Sequence, residues 1–163
     1  MEIVTAKPTD IDLIMDFIDK ARKIMWNTGN KTQWPDNYPT QATIEKDIHT
    51  GNCRLCMEDG TAVASFTIMA GPDKSYATIN SGQWIDDTLP YHVVHRIASD
   101  GSCHGVFNAV IDYCSKINNN IRIDTHRDNS IMRHCLMRHG FTYCGIIHVE
   151  DGTERLAFQR IIK

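Results

Sequence analysis

The sequence lacks any long apolar run. Its longest stretch without a charged residue, Thr61 to Pro72, is too short to cross the hydrocarbon core of a bilayer. The N-terminus from Met1 to Thr5 leads into a charged segment and has no apolar core of a secretory signal. We therefore expect a cytoplasmic protein without a membrane partner.

An excess of positive charge is also missing. The formal net charge is −3 and the isoelectric point is near 6.2. A broad nucleic-acid-binding surface requires clustered Lys and Arg side chains, so we expect no nucleic-acid partner. A local basic site is still compatible with this charge.

Cysteines at metal-binding spacing are scarce. Of the six cysteines, only Cys53 and Cys56 form a C-x-x-C pair, and their neighbours are typical of a strand. Without a second pair at zinc spacing, we expect no metal and reduced thiols that serve mainly as small core residues. A zinc or dithiol protein built on Cys53 and Cys56 remains a minor alternative.

What the sequence does have is the composition of a folded domain. Hydrophobic residues make up 42% and charged residues 23% of the 163 positions. These fractions are typical of globular proteins, and the length suits one hydrophobic core. The sequence predicts a single domain over residues 1–163.

The chain is organised around a stretch that predicts a strand, a turn and a helix. Tyr91–Ser99 is apolar and β-branched like a strand, whereas Val106 and Val110 begin a helical spacing of four. Between them, Ser99–Gly105 contains two glycines and little bulk. The free N–H groups at such a helix start bind phosphate in many proteins, but an ordinary strand-to-helix turn has the same pattern.

The rest of the chain predicts further alternating elements in the order β-α-α-β-β-β-α-β-α-β-β, a mixed sheet with helices on its faces. Thr9 and Asp12 are spaced as a capping box at the first helix, and Thr40 or Thr43 caps the second. Asp59-Gly60 predicts a tight hairpin. Strands are predicted at Glu2–Ala6, Cys53–Glu58, Ala62–Ala70, Tyr91–Ser99, Ile121–Thr125, Phe141–Val149 and Arg155–Ile161, with Tyr76–Asn80 as a further candidate.

The segment from Trp26 to Pro39 interrupts the pattern with two prolines, a glycine and three aromatic residues. Such a loop either packs over the core through its aromatic rings or lines a pocket. Both interpretations stay open, and they are compatible.

Three short patterns follow one another in a fixed order. HRIA (His95–Ala98) ends the central strand, and IDTH (Ile123–His126) is followed by Asn129 and Met132. RHGF (Arg138–Phe141) joins the last helix to the next strand. Together with the order of elements over essentially the whole chain, these patterns resemble the GNAT superfamily of acyl-CoA-dependent N-acyltransferases.

The resemblance implies an α/β fold: a mixed, mostly antiparallel sheet of six to seven strands, helices on both faces and a splayed central parallel pair. It implies acetyl-CoA as co-substrate, with a pantetheine arm that pairs with the backbone of Ile97, Ala98 and Ser99 at the end of the Tyr91–Ser99 strand. By this resemblance, the residues that contact the cofactor are Ile97, Ala98, Ser99, Ser102, Cys103, His104, Gly105, Val106, Phe107, Asn129 and Met132.

The sequence departs from the family pattern at two places. At the pyrophosphate turn, Ser102 stands where the family has Arg or Gln, Gly105 matches its middle glycine, and Phe107 replaces its final Gly or Ala. The connection from the strand to the helix is also about two residues shorter than in the family pattern. His104 either substitutes for the missing Arg or Gln side chain or is an exposed polar residue at the helix start. In the last helix, Leu136 replaces the Tyr that protonates the departing thiolate.

The reaction also needs a base for the attacking amine. The best located candidates are His95 and Tyr91, on or beside the central strand. Other histidines in range are His92, His126 and His148, and a single histidine is more often structural than catalytic.

The resulting hypothesis is an N-acetyltransferase that moves acetyl from acetyl-CoA to a primary amine of a small molecule or peptide by direct attack, as a monomer or homodimer. Trp26, Trp34 and Trp84 are predicted to bound the acceptor pocket, with Asp36, Asp86 or Asp87 attracting a cation. The alternative is a non-catalytic acyl-CoA-binding module with a degenerate active site.

Overall fold

The computed structural model describes all 163 residues. Its elements follow the predicted order and consist of seven strands and four helices, none long and apolar enough to span a membrane. The strands are β1 (Glu2–Thr5), β2 (Cys53–Glu58), β3 (Thr61–Ala70), β4 (His92–Ser99), β5 (Asn120–Thr125), β6 (Thr142–His148) and β7 (Glu154–Ile161). The helices are α1 (Ile11–Asn27), α2 (Gln41–His49), α3 (Val106–Ile117) and α4 (Ser130–Arg138), and short 3₁₀ turns span Pro8–Asp10 and Lys74–Tyr76.

All seven strands form one sheet in the order β1-β2-β3-β4-β5-β7-β6. Every neighbouring pair is antiparallel except β4 and β5, which run parallel because α3 crosses over between them. The predicted mixed and mostly antiparallel sheet is therefore confirmed, with seven strands.

The helices cover both faces of this sheet. Ile14 and Ile18 of α1 pack with Ile44 of α2 against one face, at the β1–β4 side. Val110 of α3 and Leu136 of α4 pack into the core of the opposite face. A small third cluster around Tyr76 and Trp84, from the segment between β3 and β4, extends the first face over the β5–β7 half of the sheet.

The central parallel pair is splayed, as predicted. Register pairs between β4 and β5 are confined to His92–Ile121 and Val93–Arg122, after which the strands separate. The register against β3 shifts between Ser65 and Thr67, and Arg96 has φ 53°, so β4 carries a bulge at Arg96, shortly beyond the last β4–β5 pair. The bulge bends β4 away from β5 and opens a gap at the carboxyl ends of both strands.

A buried ion pair fastens this bulge to α2. The Arg96 guanidinium donates from Nε to Asp47 Oδ2 at 2.7 Å and from a terminal nitrogen to Oδ1 at 2.8 Å. Thr67 donates to the same carboxylate at 2.8 Å. Bidentate, charge-assisted bonds in a water-poor site hold their geometry well, so they secure the bulge although Arg96 lies in the left-handed region.

Three local predictions need correction. The Thr9–Asp12 capping box does not form, because the chain first makes a 3₁₀ turn in which Asp10 accepts the Lys7 amide at 2.7 Å. Tyr76–Asn80 is not a strand: Tyr76 ends a 3₁₀ turn, and only Asn80 makes an isolated bridge to the sheet. Trp26 belongs to the last turn of α1 rather than to a loop.

At α2 the structure decides between the two candidate caps. Thr40 Oγ1 accepts the Thr43 amide at 3.1 Å. We expect Thr40→Ala to lower the free energy of unfolding by about 1 kcal/mol, measured by urea denaturation. Thr43→Ala, which keeps this bond, is the matched control, and an equal loss in both variants would contradict the assignment.

Candidate functional site

The gap between β4 and β5 is the centre of the candidate site. Beyond Val93 the edge of β4 that faces β5 has no strand partner, so the backbone of Ile97, Ala98 and Ser99 is available on that side. Ala98 and Ile97 are anchored in opposite cores, Ala98 beside α1 and Ile97 beside α3. The three predicted pantetheine contacts therefore form a rigid, unpaired edge suited to an extended amide-containing chain.

The gap leads to the start of α3. Gly101 and Gly105 have φ of 80° and 82°, which lets the chain turn sharply from β4 into the helix. The amides of Gly105, Val106 and Phe107 have no acceptor in the protein, and no side chain caps this helix. A Cβ built on Gly105 meets no atom within 4 Å. Open space over unpaired amides at a helix N-terminus fits a diphosphate.

The other predicted residues of this turn differ in exposure. Ser102 and His104 are exposed, whereas Cys103 is half-buried against the core. Phe107 meets the His139 ring edge-to-face at 4.8 Å and so joins α3 to the end of α4. Phe107 thus stands where the family has a small final residue, and its ring packs against His139. The backbone amide of Phe107 stays free.

The turn also carries a carboxylate that sequence reasoning did not single out. Asp100 accepts the Ser102 amide at 2.9 Å and the Ser102 hydroxyl. These bonds hold the pKa of Asp100 below its usual range. Asp100 therefore occupies one amide of the turn and adds a negative charge beside the place where a diphosphate fits.

We expect Asp100→Asn to tighten CoA binding about threefold to fivefold, because the amide keeps the bonds to Ser102 and removes a repulsion of roughly 1 kcal/mol. Calorimetry at two salt concentrations measures this, with the gain shrinking at high salt. Asp151→Asn is the control, since Asp151 accepts from Thr153 in the same pattern in the β6–β7 turn. Unchanged affinity in Asp100→Asn would place the diphosphate elsewhere.

Asn129 and Met132 lie at the start of α4. Asn129 Oδ1 accepts the Met132 amide at 3.1 Å, so Asn129 is the N-cap of α4. The Asn129 amide nitrogen donates to Gln33 Oε1 at 3.2 Å. The cap and the Gln33 contact together use both ends of the Asn129 side chain, and cofactor contact by Asn129 stays a prediction.

Gln33 fastens the α1–α2 loop to the carboxyl end of β5. Besides the Asn129 bond, its Oε1 accepts from Thr125 Oγ1 at 3.3 Å and from the His126 amide at 3.1 Å. Sequence reasoning missed this residue because nothing distinguishes a glutamine in an irregular loop until its distant partners are known.

His95 lies on β4 just beyond the last β4–β5 pair, with a carboxylate as partner. Its Nε2 is 3.2 Å from Asp73 Oδ2, and the two side chains are 22% and 25% exposed. The bond with His95 holds the pKa of Asp73 below its usual range, aided by the Ser75 amide. A histidine fixed by a carboxylate at the rim of a gap has the arrangement of a general base.

Tyr91, the second predicted catalytic residue, supports this pair. Its hydroxyl accepts the Asp73 amide at 2.9 Å, and its ring lies against Gly71, where a Cβ would come within 2.6 Å of it. The structure thus gives Tyr91 a part in holding the Asp73 turn, and a catalytic role for it stays a prediction.

A second hydroxyl–carboxylate pair lies beside the first. Tyr76 donates to Asp124 Oδ2 at 2.6 Å, and its ring centroid is 6.3 Å from that of His95. Burial raises the pKa of Tyr76 well above its usual value, so the phenol remains a donor. Neither residue was among the predicted site residues, although Asp124 lies in the IDTH pattern.

The tryptophans are more buried than an acceptor pocket requires. Trp34 and Trp84 are 4% and 6% exposed and belong to the cores of the first face. Trp84 and Tyr91 sandwich the Arg122 guanidinium, with centroid distances of 4.0 and 3.9 Å. Trp26 is half-buried and donates to the Trp34 carbonyl at 3.0 Å. Their burial makes Trp34 and Trp84 packing residues, and a place for them at the wall of an acceptor pocket stays a prediction.

The remaining candidates have partners of their own in the protein. Asp87 pairs with Arg122 at 2.9 Å, and Asp86 accepts from Thr88. Leu136 is fully buried, so the position that resembles the family's acid faces the core. The other histidines contact Asn118 (His92), Thr32 (His126) and Glu154 (His148).

Cys53 and Cys56 cannot bind one metal ion together. Cys53 packs in the core beside α1 and Cys56 in the core beside α3, on opposite faces of the sheet. Burial raises the pKa of both thiols to about 12, which disfavours the thiolate needed for metal binding or disulfide chemistry. The zinc or dithiol alternative is therefore wrong for this pair.

Comparison with known proteins agrees with the fold. A solved GNAT-family acetyltransferase from Streptococcus agalactiae is 32% identical, with a TM-score of 0.89 over 99% of this chain and 95% of that one. The chain therefore belongs to the GNAT family. No protein-family model and no curated protein matched it.

Two more distant structures share the fold. The ribosomal-protein-S18-alanine N-acetyltransferase of Escherichia coli is 13% identical, with a TM-score of 0.64 over 99% of this chain and 94% of that one. A GNAT-like decarboxylase in complex with isobutyryl-CoA is 11% identical, with a TM-score of 0.66 over 100% of both chains. At these identities the likeness concerns the fold alone.

Proposed function

We propose that this protein is an N-acetyltransferase that transfers acetyl from acetyl-CoA to a primary amine by direct attack. One observation carries the proposal: the unpaired edge of β4 runs from His95 to the free amides at the start of α3. A groove with an extended-chain edge, an anion site and a base at one end has the layout that acyl transfer from a long thioester requires.

Each part of the groove has a role in this reaction. The edge at Ile97–Ser99 binds the pantetheine amides, and a β4 N–H polarises the thioester carbonyl. The amides of Gly105 to Phe107 bind the diphosphate. His95, held by Asp73, accepts the amine proton as the nitrogen attacks. With Leu136 buried, the thiolate takes its proton from water or from His95.

Fold relatives support the use of an acyl-CoA. The GNAT-like decarboxylase holds isobutyryl-CoA, and the Escherichia coli relative is named for N-acetylation of an alanine on a ribosomal protein. The first of these also shows that the fold serves reactions other than acetyl transfer, so the activity is argued from the site.

A second candidate is an acyl-CoA-binding module without catalysis. Asp100 in the diphosphate turn and Leu136 at the acid position favour it, because each departs from what an efficient transferase needs. The His95–Asp73 pair favours the enzyme, since a binding module has no use for an oriented base.

Calorimetric titration with CoA and acetyl-CoA, followed by acetyl transfer to a panel of primary amines, tests the proposal. We expect micromolar binding of both ligands and release of CoA with at least one amine. Tight binding without transfer to any amine would favour the binding module. Failure to bind at millimolar CoA would reject both.

A further inference from the structure

The loop between α1 and α2 borders the gap from one strand to the other. On the β4 side, the Arg96 guanidinium donates to the Tyr38 hydroxyl at 3.2 Å. On the β5 side, Gln33 Oε1 accepts from Thr125 Oγ1 and from the His126 amide. Both contacts lie at the carboxyl ends of the splayed strands, so whatever enters the gap there passes this loop.

The side-chain oxygen of Gln33 is fully occupied. Besides the bonds from Thr125 and His126, it accepts from Asn30 Nδ2 at 3.0 Å and from Asn129 Nδ2 at 3.2 Å. A carbonyl oxygen has two lone pairs, and four donors converge on this one. The backbone amide of His126 can only donate, so the atom that faces it must be the oxygen. These contacts determine the orientation of the Gln33 carboxamide.

Asn30 holds this orientation at a cost in stability. Its side chain is buried, and while Nδ2 donates to Gln33, Oδ1 has no donor in the protein. A buried acceptor without a donor is destabilising, and such groups are rare in native proteins outside places with a particular role. We attribute the retention of Asn30 to its contact with Gln33.

The nitrogen of the Gln33 side chain is unused. Gln33 is half-buried, and its Nε2 has no acceptor in the protein and reaches the surface. Because the donors on Oε1 withdraw electron density from the carboxamide, its N–H groups become stronger donors. Gln33 therefore presents a fixed and strengthened donor at the gap.

This donor lies at the level of the gap where the acyl group must react. Three residues beyond the last β4–β5 pair, the same register sets Thr125, a partner of Gln33, opposite Arg96. Arg96 lies between His95, the base of the proposed reaction, and Ile97, the first backbone contact of the pantetheine arm. The thioester must lie between these two groups, so its carbonyl oxygen comes to the level of Gln33.

We propose that Gln33 Nε2 is a second donor to the thioester oxygen and stabilises the oxyanion that forms during acetyl transfer. This proposal rests on the proposed function. As the amine nitrogen bonds to the acetyl carbon, an electron pair moves onto the carbonyl oxygen, to which a β4 N–H and Gln33 Nε2 donate. When the C–S bond breaks, the pair returns to the carbonyl and the thiolate leaves, taking its proton from water or from His95.

Gln33→Glu tests the nitrogen separately from the oxygen. Glutamate keeps an oxygen for the donors on Gln33, so the fold should be retained, but it replaces the free NH₂ group with an oxygen that repels an oxyanion. We expect kcat to fall about 10²- to 10³-fold with the amine identified by the panel. The Kd of CoA, which has no thioester carbonyl, should not change. Asn37→Asp adds a negative charge at an exposed position of the same loop and is the matched control, with the wild-type rate.

Acetyl-CoA labelled with ¹³C at its carbonyl provides a measurement that needs no acceptor. A hydrogen bond to a carbonyl oxygen moves the resonance of its carbon downfield. We therefore expect the bound signal to lie further downfield in the wild type and in Asn37→Asp than in Gln33→Glu. If Gln33→Glu does not fold, the Gln33 side-chain amide resonances of the wild type decide, since they should shift with acetyl-CoA and not with CoA.

Equal carbonyl shifts in the wild type and Gln33→Glu, an unchanged kcat in Gln33→Glu, or an equal loss of affinity for CoA and acetyl-CoA would overturn the proposal. The proposed function fails separately. A carbonyl shift that depends on Gln33, without transfer to any amine, would reject the transferase and leave Gln33 as the donor. Transfer with equal carbonyl shifts would reject Gln33 and leave the transferase.

Discussion

Gly105→Glu should abolish detectable CoA binding while the protein stays folded. The glycine lies at the start of α3, over the unpaired amides of Val106 and Phe107, and nothing lies within 4 Å of a Cβ built there. A glutamate would therefore reach into open space and place its carboxylate where the diphosphate must lie, so that repulsion and occupied amides both oppose binding. Calorimetry with CoA measures the loss, and circular dichroism checks the fold.

The matched control is Gly105→Ala. At φ 82° any side chain strains the backbone, by roughly 1–2 kcal/mol, and alanine shares that cost without the charge. We expect Gly105→Ala to lower stability as Gly105→Glu does and to retain most CoA affinity. Equal affinity in Gly105→Glu and the wild type would remove this turn from the binding site.

The local signals in the sequence were sufficient for the order of elements. Asp59-Gly60 forms its hairpin with both residues at positive φ, and Gly140 ends α4 in the left-handed region. Such signals depend on a residue and its near neighbours, so they are visible in one chain. The capping box at Thr9 failed because an adjacent alternative, Asp10 with the Lys7 amide, satisfies the same helix end.

The bulge and its support could not be predicted. In the sequence, Arg96 stands out only as part of the HRIA pattern. Its partner Asp47 lies in α2, and the β2–β3 hairpin separates the two along the chain. The sequence contains many Arg and Asp residues, and only the fold brings this pair to 2.7 Å. The same holds for Gln33 and Asp124, whose partners lie far along the chain.

The packing of the aromatic residues on the acceptor side could not be predicted, for a related reason. An aromatic residue in a loop packs over the core or lines a pocket, and composition does not separate the two outcomes. Trp34 and Trp84 pack over the core. The backbone groove, by contrast, was predictable because it depends on the unpaired edge and the turn at Gly105 more than on side chains.

His95→Ala should lower kcat/KM by about 10²- to 10⁴-fold at neutral pH and by much less at high pH. If His95 accepts the amine proton, the reaction needs a neutral imidazole, and the wild-type rate should rise with pH until that form predominates. The variant should lose this rise in rate with pH because it has no imidazole at this position. The two rates should approach each other at high pH, where the amine is already neutral. A pH profile of kcat/KM with a saturating acyl donor measures the difference.

Asp73→Asn separates a positioning role from a structural one. Asp73 acts through His95, so we expect a roughly tenfold to hundredfold loss in kcat, a displaced pH limb and unchanged CoA affinity. His92→Ala is the matched control, since His92 lies on the same strand but contacts Asn118 at 3.1 Å rather than the gap. A pH profile of His95→Ala parallel to that of the wild type would exclude His95 as the base. In that case the oriented imidazole would only hold Asp73 and its turn.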